Sequence, residues 1–208
     1  MRTAFTGPDR MRVLVINGSP RKNGNTASLL MAMTGRLQGR GDTVVYRDLV
    51  DMNIRDCIGC NRCKRIDACA LHDDMVPIYR ELREADALII GSPIYVGAET
   101  GITKCFLDRI YALLAPGDGP QGVITRLPKG KRAFAIFPCR RRNGATLYAD
   151  MVRRYEEVFG MLGIDGKAMV LPEIHGDMDV LGSEVGRGAL EACKNFLLQP
   201  RSPEAGGP

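Results

Sequence analysis

Residues 11–26 of the chain, MRVLVINGSPRKNGNT, contain a short apolar run followed at once by a loop of small and polar residues. The run over 11–16 is typical of a strand buried on both faces. Asn25 or Thr26 can cap a helix whose Leu29, Leu30 and Met33 share one face. The stretch therefore predicts a strand, a tight turn and a helix, the first unit of an α/β protein.

The same alternation repeats along the rest of the chain. Further strands are predicted at 43–49, 86–91, 132–137 and 167–171, and further helices at 73–82, 103–114, 147–162 and 186–198. Residues 116–128, rich in Gly and Pro, predict a long exposed loop. The pattern indicates a parallel five-stranded sheet with helices on both faces. Ligands bind such sheets beyond the carboxyl ends of the strands, so the loops after strands one, three and four are candidates.

Composition narrows the class of protein. The 208 residues are 45% hydrophobic and 25% charged, which suits one globular domain. A net charge of +5 favours anionic ligands, and the lack of Trp argues against a nucleic-acid platform. We expect an irregular extension over 1–10 without a signal peptide, no membrane span, and a disordered tail over 199–208. Seven cysteines, an odd number, argue against a secreted disulfide framework and favour the cytoplasm.

The first loop has the composition of a phosphate site. A helix N-terminus offers free N–H groups and a favourable dipole to an anion. The loop is neither a P-loop nor a G-x-G-x-x-G turn, and an ordinary capped turn is the alternative. The candidate ligand-binding residues here are Ser19, Arg21, Asn23, Gly24, Asn25 and Thr26.

Cys57, Cys60, Cys63 and Cys69 form a C-x2-C-x2-C-x5-C run. Four thiolates satisfy a 4Fe–4S cluster. Zinc is an alternative, although zinc sites usually pair two distant C-x2-C knuckles. A thiol–disulfide switch and a loop without metal also stay open. The isolated Cys105, Cys139 and Cys193 are expected to be buried free thiols, with Cys139 the exception if its turn faces a ligand.

Three motifs in order resemble a known family. The loop 18–26 resembles the FMN phosphate loop of the NADPH-dependent FMN reductase family, within the flavodoxin-like superfamily. Residues 91–95, GSPIY, followed by Lys104-x2-Leu107-Asp108-Arg109, also look like that family. Residues 57–75, ending in Asp-Asp-Met, look like its iron–sulfur flavoprotein branch. The resemblance covers roughly residues 11–197.

The resemblance implies a flavodoxin-like three-layer sandwich over 11–198, with strand order 2-1-3-4-5 and a cysteine-rich loop at 53–73. It implies FMN as cofactor, with the phosphate in the first loop and Cys139 on the far side of the ring. The Arg140–Arg142 run departs from the small or glycine-rich segment that the family usually has there. The residues expected to border the ring are Ser92, Pro93, Ile94, Tyr95 and Val96.

The resemblance also implies an oxidoreductase that passes electrons from a ferredoxin-like carrier or NAD(P)H to a small-molecule acceptor, through a 4Fe–4S cluster. No side chain is assigned a catalytic role, because the flavin does the chemistry. A homodimer or homotetramer is expected, with the cysteine loop at an interface. The alternatives are a cluster-free NAD(P)H-dependent FMN or quinone reductase, and a zinc-containing or thiol-redox sensor module. The Arg140–Arg142 run is a candidate attractor for an acidic carrier or the 2′-phosphate of NADPH.

Overall fold

A computed structural model describes residues 10–175 and 179–199 of the chain. Strands and helices alternate along it, as the apolar runs predict. In chain order the elements are β1 (Arg12–Asn17), α1 (Asn25–Gly39), β2 (Thr43–Asp48), α2 (Met75–Glu84), β3 (Ala87–Gly91), α3 (Gly101–Ile110), β4 (Leu114–Pro116), β5 (Val123–Thr125), β6 (Lys131–Pro138), α4 (Gly144–Leu147), α5 (Ala149–Met161), β7 (Ile164–Leu171) and α6 (Glu184–Leu198).

The main sheet has five parallel strands in the order β2-β1-β3-β6-β7. This is the predicted order 2-1-3-4-5 once β4 and β5, which lie outside the sheet, are set aside. The prediction of a flavodoxin-like α/β sandwich is therefore confirmed. Strands β3 and β6 are buried at every residue, because helices cover both faces of the sheet. One apolar core lies beneath α2, α3 and α5, and a second beneath α1 and α6.

The strands β1 and β3 end at one level, and their neighbour β6 continues two residues further. Asn17 of β1 pairs with Gly91 of β3, and Gly91 pairs with Ile136 of β6. The chain order reverses between β1 and β3, so a crevice opens where their following loops part. The fold thus brings the loops after β1, β3 and β6 to one edge of the sheet.

The predicted exposed loop at 116–128 contains structure that the sequence does not signal. Strands β4 and β5 form a small antiparallel ribbon, and Leu127, just after it, is buried. The Arg126 guanidinium donates to the Ala112 and Leu114 carbonyls, at 2.9 Å each. Strands of three residues are too short to show a period, so composition alone suggested a plain loop.

Smaller differences concern element ends. The last strand begins at Ile164 rather than 167, since its first residues alternate between buried and exposed and include Gly166, so they form no apolar run. The helix predicted to end at 114 ends at Ile110 and continues as a 3₁₀ turn. The helix predicted over 147–162 is divided at Tyr148.

The expected extension, apart from residue 10, and the expected tail from residue 200 lie outside the described residues. Among the helices of the described part, none has the length and apolar character to cross a membrane.

Candidate functional site

A cleft of ≈ 490 Å³ opens at the carboxyl ends of β1, β3, β6 and β7. Its volume is within the range of small-molecule and cofactor sites. Four loops contribute to it, as expected for the switch point of a parallel sheet. It is lined by Ser19, Arg21, Gly24, Asn25, Thr26, Pro93, Ile94, Tyr95, Val96, Gly97, Pro138, Cys139, Arg140, Arg141, Tyr148, Ile174 and His175.

Hydrogen bonds fix the shape of the loop after β1. The buried Asn17 amide donates to Asp48 Oδ1 at 2.6 Å, and its oxygen accepts the Ser19 N–H at 3.0 Å. Ser19 Oγ in turn accepts the Arg21 N–H at 3.1 Å. Gly18 passes so close to α3 that a Cβ would lie 1.8 Å from Thr103 Oγ1. The loop is therefore held in place without any ligand.

The N-terminus of α1 has unused donors. Gly24 occupies the N-cap position, so no side chain caps the first turn, and no acidic residue stands in that turn. The first N–H groups of a helix lack partners within the helix. With Arg21 exposed beside them, these groups form a positive site suited to an anion.

The loop after β3 forms another wall. Tyr95 and Ala98 exchange backbone hydrogen bonds at 2.8 and 3.1 Å, which closes a two-residue turn at Val96 and Gly97. Both turn residues have positive φ, +51° and +89°. A β-branched residue in this conformation is uncommon, and the fully exposed Val96 places an apolar side chain at the rim of the cleft.

The loops after β6 and β7 complete the cleft. Cys139 is buried at its floor, and burial raises the pKa of this thiol. Arg140 and Arg141 are exposed at its edge. The Asn25 amide donates to the His175 carbonyl, which joins the first loop to the last.

A second, smaller cavity of ≈ 100 Å³ lies in the cysteine-rich loop, and all four cysteines of the predicted run line it. Cys57 and Cys60 are exposed, whereas Cys63 and Cys69 are partly buried. Within residues 10–175 and 179–199, no three His, Cys, Asp or Glu side chains converge closely enough to hold a single metal ion. The thiols thus surround a common space without meeting at one point.

Sequence comparison identifies the family of this protein. A sequence model described as NADPH-dependent FMN reductase matches residues 11–173. The chain belongs to the NADPH-dependent FMN reductase family.

Individual relatives show to which branch of the FMN reductase family this chain belongs. An iron–sulfur flavoprotein of Archaeoglobus fulgidus is 36% identical over 91% of this chain and 84% of its own length. One of Methanocaldococcus jannaschii is 37% identical over 48% of this chain and 51% of its own. These matches confirm the iron–sulfur flavoprotein branch. In several such matches the chain spans only about half the length of its curated relatives.

A solved structure supports the fold of this family member. A NAD(P)H:quinone oxidoreductase from Methanothermobacter marburgensis superimposes with a TM-score of 0.73. The alignment covers 93% of this chain and all of that one, at 18% identity. At that identity the likeness shows the architecture alone.

The flavoprotein's cysteine loop is tied to the fold by a buried ion pair. Arg109 contacts both Asp73 carboxylate oxygens, at 2.6 and 3.0 Å, and also donates to the Arg55 carbonyl at 2.7 Å. The two side chains are 0% and 1% exposed. Burial alone would raise the pKa of Asp73, but Arg109 and the backbone N–H groups of Arg55 and Met75 lower it below its ordinary value.

Cys69 lies beside this pair. Burial acts to raise the pKa of its thiol. The backbone N–H of Leu71, the Tyr79 hydroxyl and the Arg109 guanidinium outweigh burial, and the pKa is lowered. The loop thus favours a thiolate at Cys69.

The structure does not bring every candidate residue to the cleft of this family member. Asn23 is exposed outside it. Ser92 is fully buried and serves the fold, since its Oγ accepts the Thr100 N–H at 3.0 Å. The other candidate ligand residues all line it.

Sequence reasoning missed Tyr148, Ile174 and His175 as lining residues. His175 follows the last strand, and its place at the common edge of the sheet was the available signal. No motif marks Tyr148, which lies between α4 and α5 where the predicted helix is divided.

Proposed function

We propose that this chain is an FMN-binding redox protein of the iron–sulfur flavoprotein type. It would pass electrons between a reduced donor and an acceptor. One observation carries the proposal: a cleft with an uncapped helix N-terminus lies in the same molecule as a cavity lined by four cysteine thiols. An anion site and a thiolate cage together suit a protein with two redox groups.

The residues of the cleft fit FMN. The free N–H groups at the start of α1, with Arg21, Asn25 and Thr26, would hold the phosphate. Pro93, Ile94 and other apolar wall residues would border the ring. FMN, when bound, supplies a centre that accepts either a hydride or single electrons. The residues of the chain would bind FMN, orient it and exclude water from it.

The residues of the smaller cavity fit a 4Fe–4S cluster. Four thiols are the donor set of such a centre. Zinc sites usually pair two distant C-x2-C knuckles, whereas these four cysteines form one compact run. The lowered pKa of Cys69 suits a ligand that binds as thiolate. These features favour the cluster over the zinc module.

A cluster-free NAD(P)H-dependent FMN or quinone reductase is the second candidate. Arg140 and Arg141 line the cleft and are exposed, as a site for a nicotinamide nucleotide phosphate requires. An FMN reductase (NADPH) of Escherichia coli is 32% identical over 48% of each chain. We propose NAD(P)H or a ferredoxin-like carrier as donor, a small molecule as acceptor, and a cytoplasmic homodimer or homotetramer.

The test is an anaerobic purification with FMN, iron and sulfide quantitation. The expected result is one FMN and about four irons per chain. FMN without iron, even after reconstitution, would favour the cluster-free reductase. Neither FMN nor iron, with stoichiometric zinc, would favour the sensor module.

Two matched cysteine variants locate the metal. Cys60→Ala removes an exposed thiol of the cavity and should abolish iron retention without loss of FMN. Cys105→Ala removes a thiol that donates to Asp56 Oδ1 at 2.6 Å outside the cavity, and it should keep both. Equal iron loss in the two variants would contradict the assignment of the cavity.

A further inference from the structure

Arg109 is a buried cation with an unused donor. Its side chain is fully buried. Both terminal nitrogens are occupied, Nη1 by the Arg55 carbonyl and Asp73, and Nη2 by Asp73. Among the described residues, Nε has no hydrogen-bond partner. A buried polar group without a partner destabilises the folded state, and more so when it is charged. Such a cost points to a partner that belongs to the functional state.

The position of Arg109 identifies the kind of partner. Arg109 lines the cysteine cavity, whereas Asp73 is not among its lining residues. The ion pair therefore presents its positive end to the cavity. Asp73 is held away by the backbone N–H groups of Arg55 and Met75, at 3.1 Å each. Arg109 thus places a buried positive group with an unused N–H on the wall of the cavity beside Cys69, while Asp108 on the same wall is paired with Lys104.

We propose that Arg109 is a positioning residue for the iron–sulfur centre: its Nε–H donates to a sulfur in the cavity and raises the reduction potential of the centre. This inference rests on the proposed function. Reduction adds one electron from the donor, and so one negative charge, with no bond broken and no proton moved. A buried guanidinium beside the sulfurs stabilises the more negative state, and hydrogen bonds to the sulfurs act in the same direction.

The experiment compares two conservative variants of the anaerobically prepared holoprotein. Arg109→Lys keeps the charge but removes the planar guanidinium and its Nε–H. Arg126→Lys is the control. Its guanidinium also supports the loop, donating to the Cys63 carbonyl at 2.9 Å, but it does not line the cavity. Iron and FMN are counted first, and the reduction potential of the centre is then titrated by its visible and electron paramagnetic resonance spectra.

The expected result is that Arg109→Lys retains iron and disfavours reduction at least tenfold, which is about 59 mV lower for one electron. Arg126→Lys should shift the potential far less. An Arg109→Lys protein with four irons and an unchanged potential would overturn the proposal, and so would an equal shift in both variants. A wild-type protein without iron would overturn both this inference and the proposed function, so the two failures are distinguishable.

A measurement on the wild-type protein covers the case in which Arg109→Lys does not hold the centre. Arginine labelled with ¹⁵N in the guanidinium group is incorporated throughout the chain. Pulsed electron paramagnetic resonance of the reduced centre should then show coupling to ¹⁵N, and labelled Arg126→Lys protein should show the same coupling. Its absence, with iron present, would overturn the proposal.

Discussion

The cleft and the cysteine-rich loop are held together by different means. The cleft is made of loops that leave a paired sheet, and backbone bonds such as Gly18 N–H to the Gly91 carbonyl, at 2.7 Å, fix them. The loop at 53–73 has only a three-residue 3₁₀ turn of regular structure, and buried or partly buried cations hold it. The comparison teaches that one site depends on the fold and the other on a few charged side chains.

Breaking the buried ion pair should give the largest loss of stability, because the cysteine-rich loop depends on this pair and the cleft does not. Arg109→Ala leaves the Asp73 charge buried without its partner, which costs roughly 3–5 kcal/mol. The free energy of unfolding in urea measures the loss. Lys104→Ala is the control, because its pair with Asp108 is half exposed and is worth less than about 1 kcal/mol. Similar losses in both variants would contradict the role given to the buried pair.

Acid should weaken the same pair in the wild-type protein. Because the folded pKa of Asp73 lies below its ordinary value of 3.8, the folded state binds fewer protons than the unfolded state. Its contribution to stability is complete above the ordinary value and is lost as the pH falls through the folded pKa. Unfolding free energies of the wild type and of Asp73→Asn, from pH 7 downward, check this. The variant should show the flatter acid dependence, and parallel curves would assign the acid sensitivity to other carboxyls.

In the cleft, the largest loss of stability is expected from a substitution at Gly18, where the backbone passes close to α3. Gly18→Ala places a methyl group 1.8 Å from Thr103 Oγ1, and such overpacking costs roughly 1–3 kcal/mol. FMN affinity should fall with it, since the loop must move. Gly35→Ala, in α1 with nothing within 4 Å, should instead stabilise by about 0.5–1 kcal/mol. Thermal unfolding and FMN titration would show the opposite signs, and a destabilised Gly35→Ala would remove the contrast.

The smallest expected effect concerns one charge in the cleft. Arg21→Ala should weaken FMN binding about tenfold, or about 1.4 kcal/mol, through loss of a charge-assisted contact to the phosphate. Riboflavin, which lacks the phosphate, serves as the matched ligand and should bind both proteins alike. Fluorescence titration measures both. If riboflavin weakens equally, Arg21 acts on the ring or on the fold.

The sequence predicted the main sheet well because its three central strands are buried on both faces. Runs such as Ala87–Gly91 are apolar throughout, and a helical pattern follows each. Where burial is mixed, as at the start of β7, no apolar run marks the strand, and its predicted start was wrong. The β4–β5 ribbon was missed because three-residue strands carry no period.

The candidate site was predictable only in part. The first loop is marked by its place between a strand and a helix, and the cysteines by their spacing. Asn23 was grouped with the loop by adjacency, which does not tell which way a side chain points. Arg109 was noted as part of a motif, but its pairing with Asp73, 36 residues away, is a tertiary contact that no local pattern reveals.

The four cysteines differ in exposure, so the smaller cavity has one side open to solvent and one side partly shielded from it. Cys57 and Cys60 face water, whereas Cys63 and Cys69 are half shielded. Dissolved oxygen and peroxides reach exposed cysteine sulfurs first, and they oxidise them to sulfenic and sulfinic acids. Ageing in air should therefore begin at Cys57 and Cys60, and peptide mass spectrometry after timed exposure would show the order. The open side of this cavity would therefore limit how long the protein keeps its four thiols intact in air.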